Sequence, residues 1–117
     1  MIHSNKIIQE TQQMSGHDFS RLYAQYPHII SQMDQNFTSH EFIQQLARQN
    51  QVAYIEALHA YRRNLREGKP APFMMVHGIL ARHLSHYPRL IMEVNTGVPS
   101  IDIFGQESSA SLWRKVS

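Results

Sequence analysis

The residues best suited to recognise a ligand are basic and lie in the middle of the chain: Arg62, Arg63, Arg66, Lys69 and Arg82. The planar guanidinium of arginine forms paired hydrogen bonds with phosphate or carboxylate oxygens, and a helix is a rigid carrier for it. His59, Arg62, Arg63 and Arg66 are predicted to form the basic face of one helix, to which Lys69 and Arg82 add, and this face is predicted to bind a nucleic acid or an acidic protein. A solvated helix end, with cations beside the C-terminal dipole, gives the same pattern.

The charge distribution favours the same part of the sequence. The 117-residue chain has 11 Lys and Arg against 9 Asp and Glu, a formal net charge of +2. Residues 37–89 hold seven basic residues against three acidic ones, whereas each flanking segment has one more acidic residue than basic ones. Only the middle of the sequence can therefore present a basic surface to phosphate groups.

Eight histidines are the compositional oddity of the chain. A zinc site on a helix needs imidazoles one turn apart and further ligands nearby. His83 and His86 are three residues apart with no acidic residue on the same helix, and Glu93 is the nearest. The chain has no cysteine, which excludes disulfides and thiolate zinc sites. The sequence predicts no metal site.

The sequence assembles no catalytic set. Ser39, His40 and Glu41 are adjacent, and adjacent side chains on a helix point apart rather than into a triad. Asp102 precedes Ile-Phe-Gly, which is the wrong order for a kinase motif, and no glycine-rich phosphate loop is present. We therefore expect a non-enzymatic protein without a cofactor.

A second candidate surface consists of Met74, Met75 and Ile79, which lie beside the predicted buried face of their helix. Flexible methionine side chains are common at protein-binding surfaces. The three residues predict a partner-binding strip or a homodimer interface. Cover by the N-terminal helices or the C-terminal hairpin is the alternative, because a small domain needs such burial.

The element that positions the basic residues is predicted to be one long helix. Thr38 and Glu41 have the spacing of a capping box, and Phe37 and Phe42 occupy the staple positions around it. From there an apolar stripe keeps helical phase to Leu65, which predicts a rod of roughly 40 Å. Asn50 lies inside the stripe and is where the rod would break. The stripe comprises Ile43, Leu46, Ala47, Ala53, Tyr54, Ala57, Leu58, Tyr61 and Leu65.

The other elements complete a mainly α-helical fold. Gly68 and Pro70 end the rod, and Pro72 begins a helix over about 73–86. Alternating β-branched residues after Gly97 predict a short C-terminal β-hairpin. Residues 1–36 form a predicted N-terminal helical arm, partly disordered at its polar start and interrupted at Pro27. Residues 37–117 form the predicted domain.

The runs Phe37-Thr38-Ser39-His40-Glu41-Phe42-Ile43, Ser100-Ile101-Asp102-Ile103-Phe104-Gly105 and Leu112-Trp113-Arg114-Lys115 resemble a family of small uncharacterised bacterial domains. The resemblance covers residues 37–117. The order of helices followed by a hairpin is similar to that of winged-helix domains. No ligand or catalytic residue follows from either resemblance.

The sequence as a whole favours a cytoplasmic binding module associated with nucleic acid through its basic residues. A protein-interaction adaptor or homo-oligomer that uses the Met/Ile strip is the alternative. No apolar run approaches the ~20 residues of a membrane helix, so no membrane partner is expected.

Overall fold

The computed structural model describes residues 17–116, so the predicted polar start of the chain lies outside the described residues. The described range has five α-helices, a 3₁₀ turn at Leu84–His86 and five strands. The helices are α1 (Ser20–Tyr23), α2 (Tyr26–Gln32), α3 (Ser39–Gln49), α4 (Gln51–Ala60) and α5 (Pro72–His83). The strands are β1 (Asn36–Thr38), β2 (Leu65–Arg66), β3 (Lys69–Pro70), β4 (Ile91–Ile101) and β5 (Glu107–Lys115).

The prediction of a mainly α-helical fold with one short hairpin is wrong. Strands β1, β5 and β4 form a three-stranded antiparallel sheet in that order, and β2 and β3 form a second hairpin. Phe37 of β1 lies opposite Trp113 of β5, and both side chains are buried. The protein is therefore a mixed α and β structure.

The predicted start of α3 is confirmed. The Thr38 hydroxyl accepts from the Glu41 amide, and the Glu41 carboxylate accepts from the Thr38 amide, which closes the capping box. The rings of Phe37 and Phe42 are both buried, with centroids 6.2 Å apart. These contacts fix the direction in which the chain leaves β1 and enters the helix.

The prediction of an unbroken helix from Thr38 to Arg66 is wrong. Asn50 has φ −136° and ψ 53°, outside the helical range, and separates α3 from α4. Its side-chain amide donates to the Leu46 carbonyl at 3.0 Å, which partners one of the last carbonyls of α3. Helix α4 then ends at Ala60, six residues before Arg66.

One core connects the helices with the three-stranded sheet. The buried side chains of α1 and α2, including Tyr26 and Ile29, belong to the same cluster as Leu46, Leu80 and Trp113. The Tyr26 hydroxyl donates to the Leu80 carbonyl at 2.6 Å. The described part of residues 1–36 therefore packs into the same core as the remainder. No helix within residues 17–116 has the length and apolar character needed to cross a bilayer.

Candidate functional site

Two clefts meet where α4 ends, and four of the five predicted basic residues line them. The first, which we call the turn cleft, has a volume of about 580 Å³ and is lined by residues 60–65. The second, the hairpin cleft, has a volume of about 430 Å³. Asn64 and Leu65 line both clefts, so the two adjoin. The hairpin cleft is lined by Asn64, Leu65, Arg66, Ala71, Met74, Met75, Gly78 and Arg82.

Local hydrogen bonds shape the chain between the clefts. The Arg62 guanidinium donates to the His59 carbonyl at 2.9 Å, which satisfies one of the last carbonyls of α4. The Asn64 carbonyl accepts from the Ala71 amide at 2.7 Å and closes the base of the β2–β3 hairpin. Arg62 and Arg63 therefore lie in a turn, whereas Arg66 lies on a strand. The prediction that these three arginines share one helix face is wrong.

The β2–β3 hairpin places two cations side by side. Arg66 pairs directly with Lys69 across the hairpin, so both side chains lie on one face. The two turn residues, Glu67 and Gly68, have φ angles of 54° and 78°, the left-handed region required at both central positions of a type I′ turn. Like charges directly opposite each other destabilise a strand pair, and an anion between them would relieve this repulsion.

Arg82 reaches the hairpin cleft from α5. A β-carbon built on Gly78 would lie 3.2 Å from Arg82 Nη1, so the guanidinium lies against the helix backbone at Gly78. Gly78, four residues before Arg82 on the same helix, thus leaves space for the guanidinium because it has no side chain. Arg66 and Arg82 come from different elements and line the same cleft.

The five predicted cations are all exposed. Within residues 17–116, the structure has one salt bridge between side chains, Arg21 to Glu56 at 2.9 Å, and none of the five cations takes part in it. None of the five therefore forms a contact ion pair with an acidic side chain of the described chain. The basic end, which we define as the turn cleft, the hairpin cleft and Lys69, has the charge needed to attract an anion.

The three residues of the predicted Met/Ile strip differ in how far they are buried. Met75 and Ile79 are partly buried and pack against the core, whereas Met74 is 55% exposed. Met74 and Met75 line the hairpin cleft beside Arg66. The structure thus places two of the three predicted partner-binding residues in the same cleft as the predicted phosphate-binding ones.

Stacked imidazole rings near Arg82 were not predicted. The His83 ring lies parallel to the Tyr23 ring at a centroid distance of 3.5 Å, and the His86 ring stacks on His83 at 4.3 Å. Burial, followed by the nearby His86, lowers the pKa of His83. The spacing of three residues indicates that His83 and His86 are neighbours. Tyr23 lies 60 residues earlier in the sequence, so the spacing of the histidines does not predict its contribution.

A second polar cluster lies where the β4–β5 turn meets the helices. His40 Nδ1 and Ser100 Oγ are 2.8 Å apart, and the Tyr54 hydroxyl lies 2.6 Å from His77 Nε2. Burial lowers the pKa of His77 to about 4, and burial raises the pKa of Tyr54 to about 12. Both groups are therefore neutral at pH 7.

The carboxylate of this cluster has a structural task. Asp102 Oδ1 accepts from the amides of Phe104 and Gln106, each at 2.9 Å, and so holds the β4–β5 turn. These backbone bonds keep the Asp102 pKa below its usual value. The described residues show no hydrogen bond from Asp102 to His40, so the His40–Ser100 pair lacks the orienting carboxylate of a catalytic triad.

No three or more acidic or histidine side chains in the described part of the chain are grouped so that they could hold a metal ion. Comparison of the chain with known protein families, with curated proteins and with solved structures finds no match in any of the three. The geometry of the basic end is therefore the basis for a functional proposal.

Proposed function

We propose that this protein is a non-enzymatic, cytoplasmic binding module whose basic end binds the phosphate backbone of a nucleic acid. The observation that carries the proposal is the hairpin cleft. There, Arg66 of β2 and Arg82 of α5 line one concave surface with no acidic partner among the described residues. Two guanidinium groups from independent elements suit a ligand with several phosphate oxygens.

The arrangement of the remaining cations favours an extended ligand over a single small anion. Arg62 and Arg63 line the adjoining turn cleft, and Lys69 lies opposite Arg66 on the β2–β3 hairpin. A nucleic acid carries a regular series of phosphates and can contact both clefts at once. Such contacts add affinity through the release of counterions and do not depend on base sequence.

Two features of the fold support the proposed similarity to winged-helix domains. The interruption at Asn50 divides the predicted rod into two helices, and the long β4–β5 hairpin follows the last helix. A nucleic-acid ligand is inferred from the arginines and does not depend on this similarity.

The test is the salt dependence of binding to a labelled oligonucleotide, followed by fluorescence anisotropy. Five cations set a limiting slope of about −4.5 for log K against log salt on duplex DNA. The double variant Arg66→Gln/Arg82→Gln should weaken binding to every sequence and reduce the steepness of the slope by about 2. Arg48→Gln/Arg89→Gln is the matched control, because it removes two exposed arginines outside both clefts.

Two results would contradict the proposal. One is the absence of binding to single-stranded and duplex oligonucleotides at about 50 mM salt, where phosphate contacts are strong. The other is an equal loss of affinity in the control variant, which would show that net charge alone, and not the clefts, attracts the ligand.

One observation favours the alternative of a protein partner or homodimer. Leu65 and Met74, 61% and 55% exposed, flank Arg66 at the hairpin cleft and form an amphipathic surface. Light scattering across a concentration series should then show a dimer that Met74→Glu abolishes. Met74 is the appropriate position, since Met75 packs against the core and its substitution would also destabilise the fold.

A further inference from the structure

The imidazole of His86 is the outermost of three stacked rings at the C-terminal end of α5. The Tyr23 and His83 rings are 3.5 Å apart and nearly parallel, and His83 and His86 are 4.3 Å apart at 21°. One face of an imidazole cannot hold two rings at these distances. Tyr23 and His86 therefore occupy opposite faces of His83, and the outer face of His86 ends the stack.

Hydrogen bonds within the protein hold the stacked rings in position. The Tyr87 hydroxyl donates to the Tyr23 carbonyl at 3.1 Å, so its oxygen accepts from His83 Nε2 at 3.3 Å. The His86 ring in turn lies with Nδ1 3.2 Å from the His83 carbonyl, which makes Nδ1 the protonated nitrogen. A ring held by both a stack and a hydrogen bond loses little conformational freedom when another ring packs on it.

The stack lies next to a predicted phosphate-binding residue. Arg82 lies in the last turn of α5 and precedes His86, in the 3₁₀ turn that follows, by four residues. Both side chains are exposed. A guanidinium and an exposed ring this close along the chain suit two groups of one strand, a phosphate and a base.

We propose that His86 is a stacking platform for an unpaired nucleobase, and that the nucleic acid bound by the basic end is single-stranded. This inference rests on the proposed function and adds the class of nucleic acid to it. Bases in a duplex already stack on one another, whereas unpaired bases stack on aromatic side chains with little preference for sequence. Arg82, whose guanidinium lies against Gly78, binds a phosphate of the same strand.

The experiment compares two labelled single strands of equal length, one of thymidine nucleotides and one with abasic sites throughout. Both carry the same phosphates, so the ratio of their affinities reports the contribution of the bases. The wild-type protein should bind the thymidine strand about five-fold or more tightly than the abasic strand. His86→Ala should abolish that ratio and leave the affinity for the abasic strand unchanged, and His86→Trp should preserve it.

His28→Ala is the matched control, since it removes an exposed histidine of α2 that is not part of the stack. It should leave both affinities unchanged, and circular dichroism of each variant verifies that the fold is retained. A loss of affinity in His86→Ala that is equal for the two strands would overturn the inference, as would duplex DNA that binds as tightly as the thymidine strand. Both results would leave the proposed function intact, whereas no binding of any strand would overturn both.

Discussion

Gly78 provides a sensitive test of how Arg82 is positioned, because stability and binding should respond in opposite directions. Gly78 lies in the interior of α5, where glycine is less favourable than alanine by about 0.8–1 kcal/mol. The added β-carbon of Gly78→Ala would lie 3.2 Å from Arg82 Nη1. Since that atom ends a flexible side chain, a shift of a few tenths of an ångström relieves the contact at little cost.

The expected net effect of Gly78→Ala on stability is a gain of about 0.5–1 kcal/mol, or roughly 2–8 °C in the melting temperature for a domain of this size. The displaced guanidinium should at the same time lower the affinity for a single strand by about 2–5-fold, or roughly 0.4–1 kcal/mol. Thermal unfolding followed by circular dichroism measures the first quantity, and fluorescence anisotropy measures the second.

A double-mutant cycle separates the role of Gly78 from a general change in the helix. In an Arg82→Gln background, Gly78→Ala should still stabilise the fold but should have no further effect on affinity. The reasoning is refuted if Gly78→Ala lowers the melting temperature. It is also refuted if Gly78→Ala leaves binding unchanged while Arg82→Gln weakens it, since Arg82 would then bind from another conformation.

Three further predictions concern individual side chains. Tyr61→Phe should raise the free energy of unfolding by about 1 kcal/mol, because the buried Tyr61 hydroxyl has no hydrogen-bond partner among the described residues. Urea titrations measure this quantity, and a loss of stability would contradict the prediction. The free energy of unfolding should be constant above pH 6.5 and fall by up to about 3 kcal/mol towards pH 4. Burial lowers the pKa of His77 in the folded protein to about 4, so between these pH values the histidine takes up a proton in the unfolded chain but not in the folded one. His77→Gln should flatten that pH dependence, and an unchanged slope would show that other groups cause it. Glu67→Asn should stabilise the β2–β3 hairpin by about 0.5–1 kcal/mol, since asparagine tolerates the positive φ at this position better than glutamate does. The same substitution removes the acidic residue between Arg66 and Lys69 and should therefore tighten oligonucleotide binding. Weaker binding would count against a phosphate site there.

Local signals in the sequence predicted local structure well. The capping box at Thr38 and the proline at the start of α5 depend on residues within one turn of each other, and both are confirmed. The division of the N-terminal segment at Pro27 is also confirmed, since Pro27 lies in the first turn of α2. Each of these signals involves hydrogen bonds or steric limits that few neighbouring residues can override.

The errors arose where long-range contacts decide the structure. An apolar stripe keeps its phase across Asn50 because α3 and α4 both bury that side, through Leu46 and Ala53 for example, so periodicity cannot detect a one-residue interruption. Strand β1 has three residues and exists because β5 pairs with it some 75 residues later. The residues at Phe37 and Thr38 predict only the staple and the cap of α3, which is correct but incomplete.

The basic site illustrates why a candidate surface can be identified even when its backbone is predicted wrongly. The prediction for Arg66 depended on a helix that ends before it, yet the residue stays exposed because a guanidinium without a buried partner is too costly to desolvate. The structure adds the position of Met74 and Met75 in the same cleft. These methionines offer apolar contact area beside an exposed guanidinium, which suits a ligand that has both phosphate groups and apolar surface. A nucleotide is such a ligand, whereas the same arginines on a flat helix face would offer it charge alone.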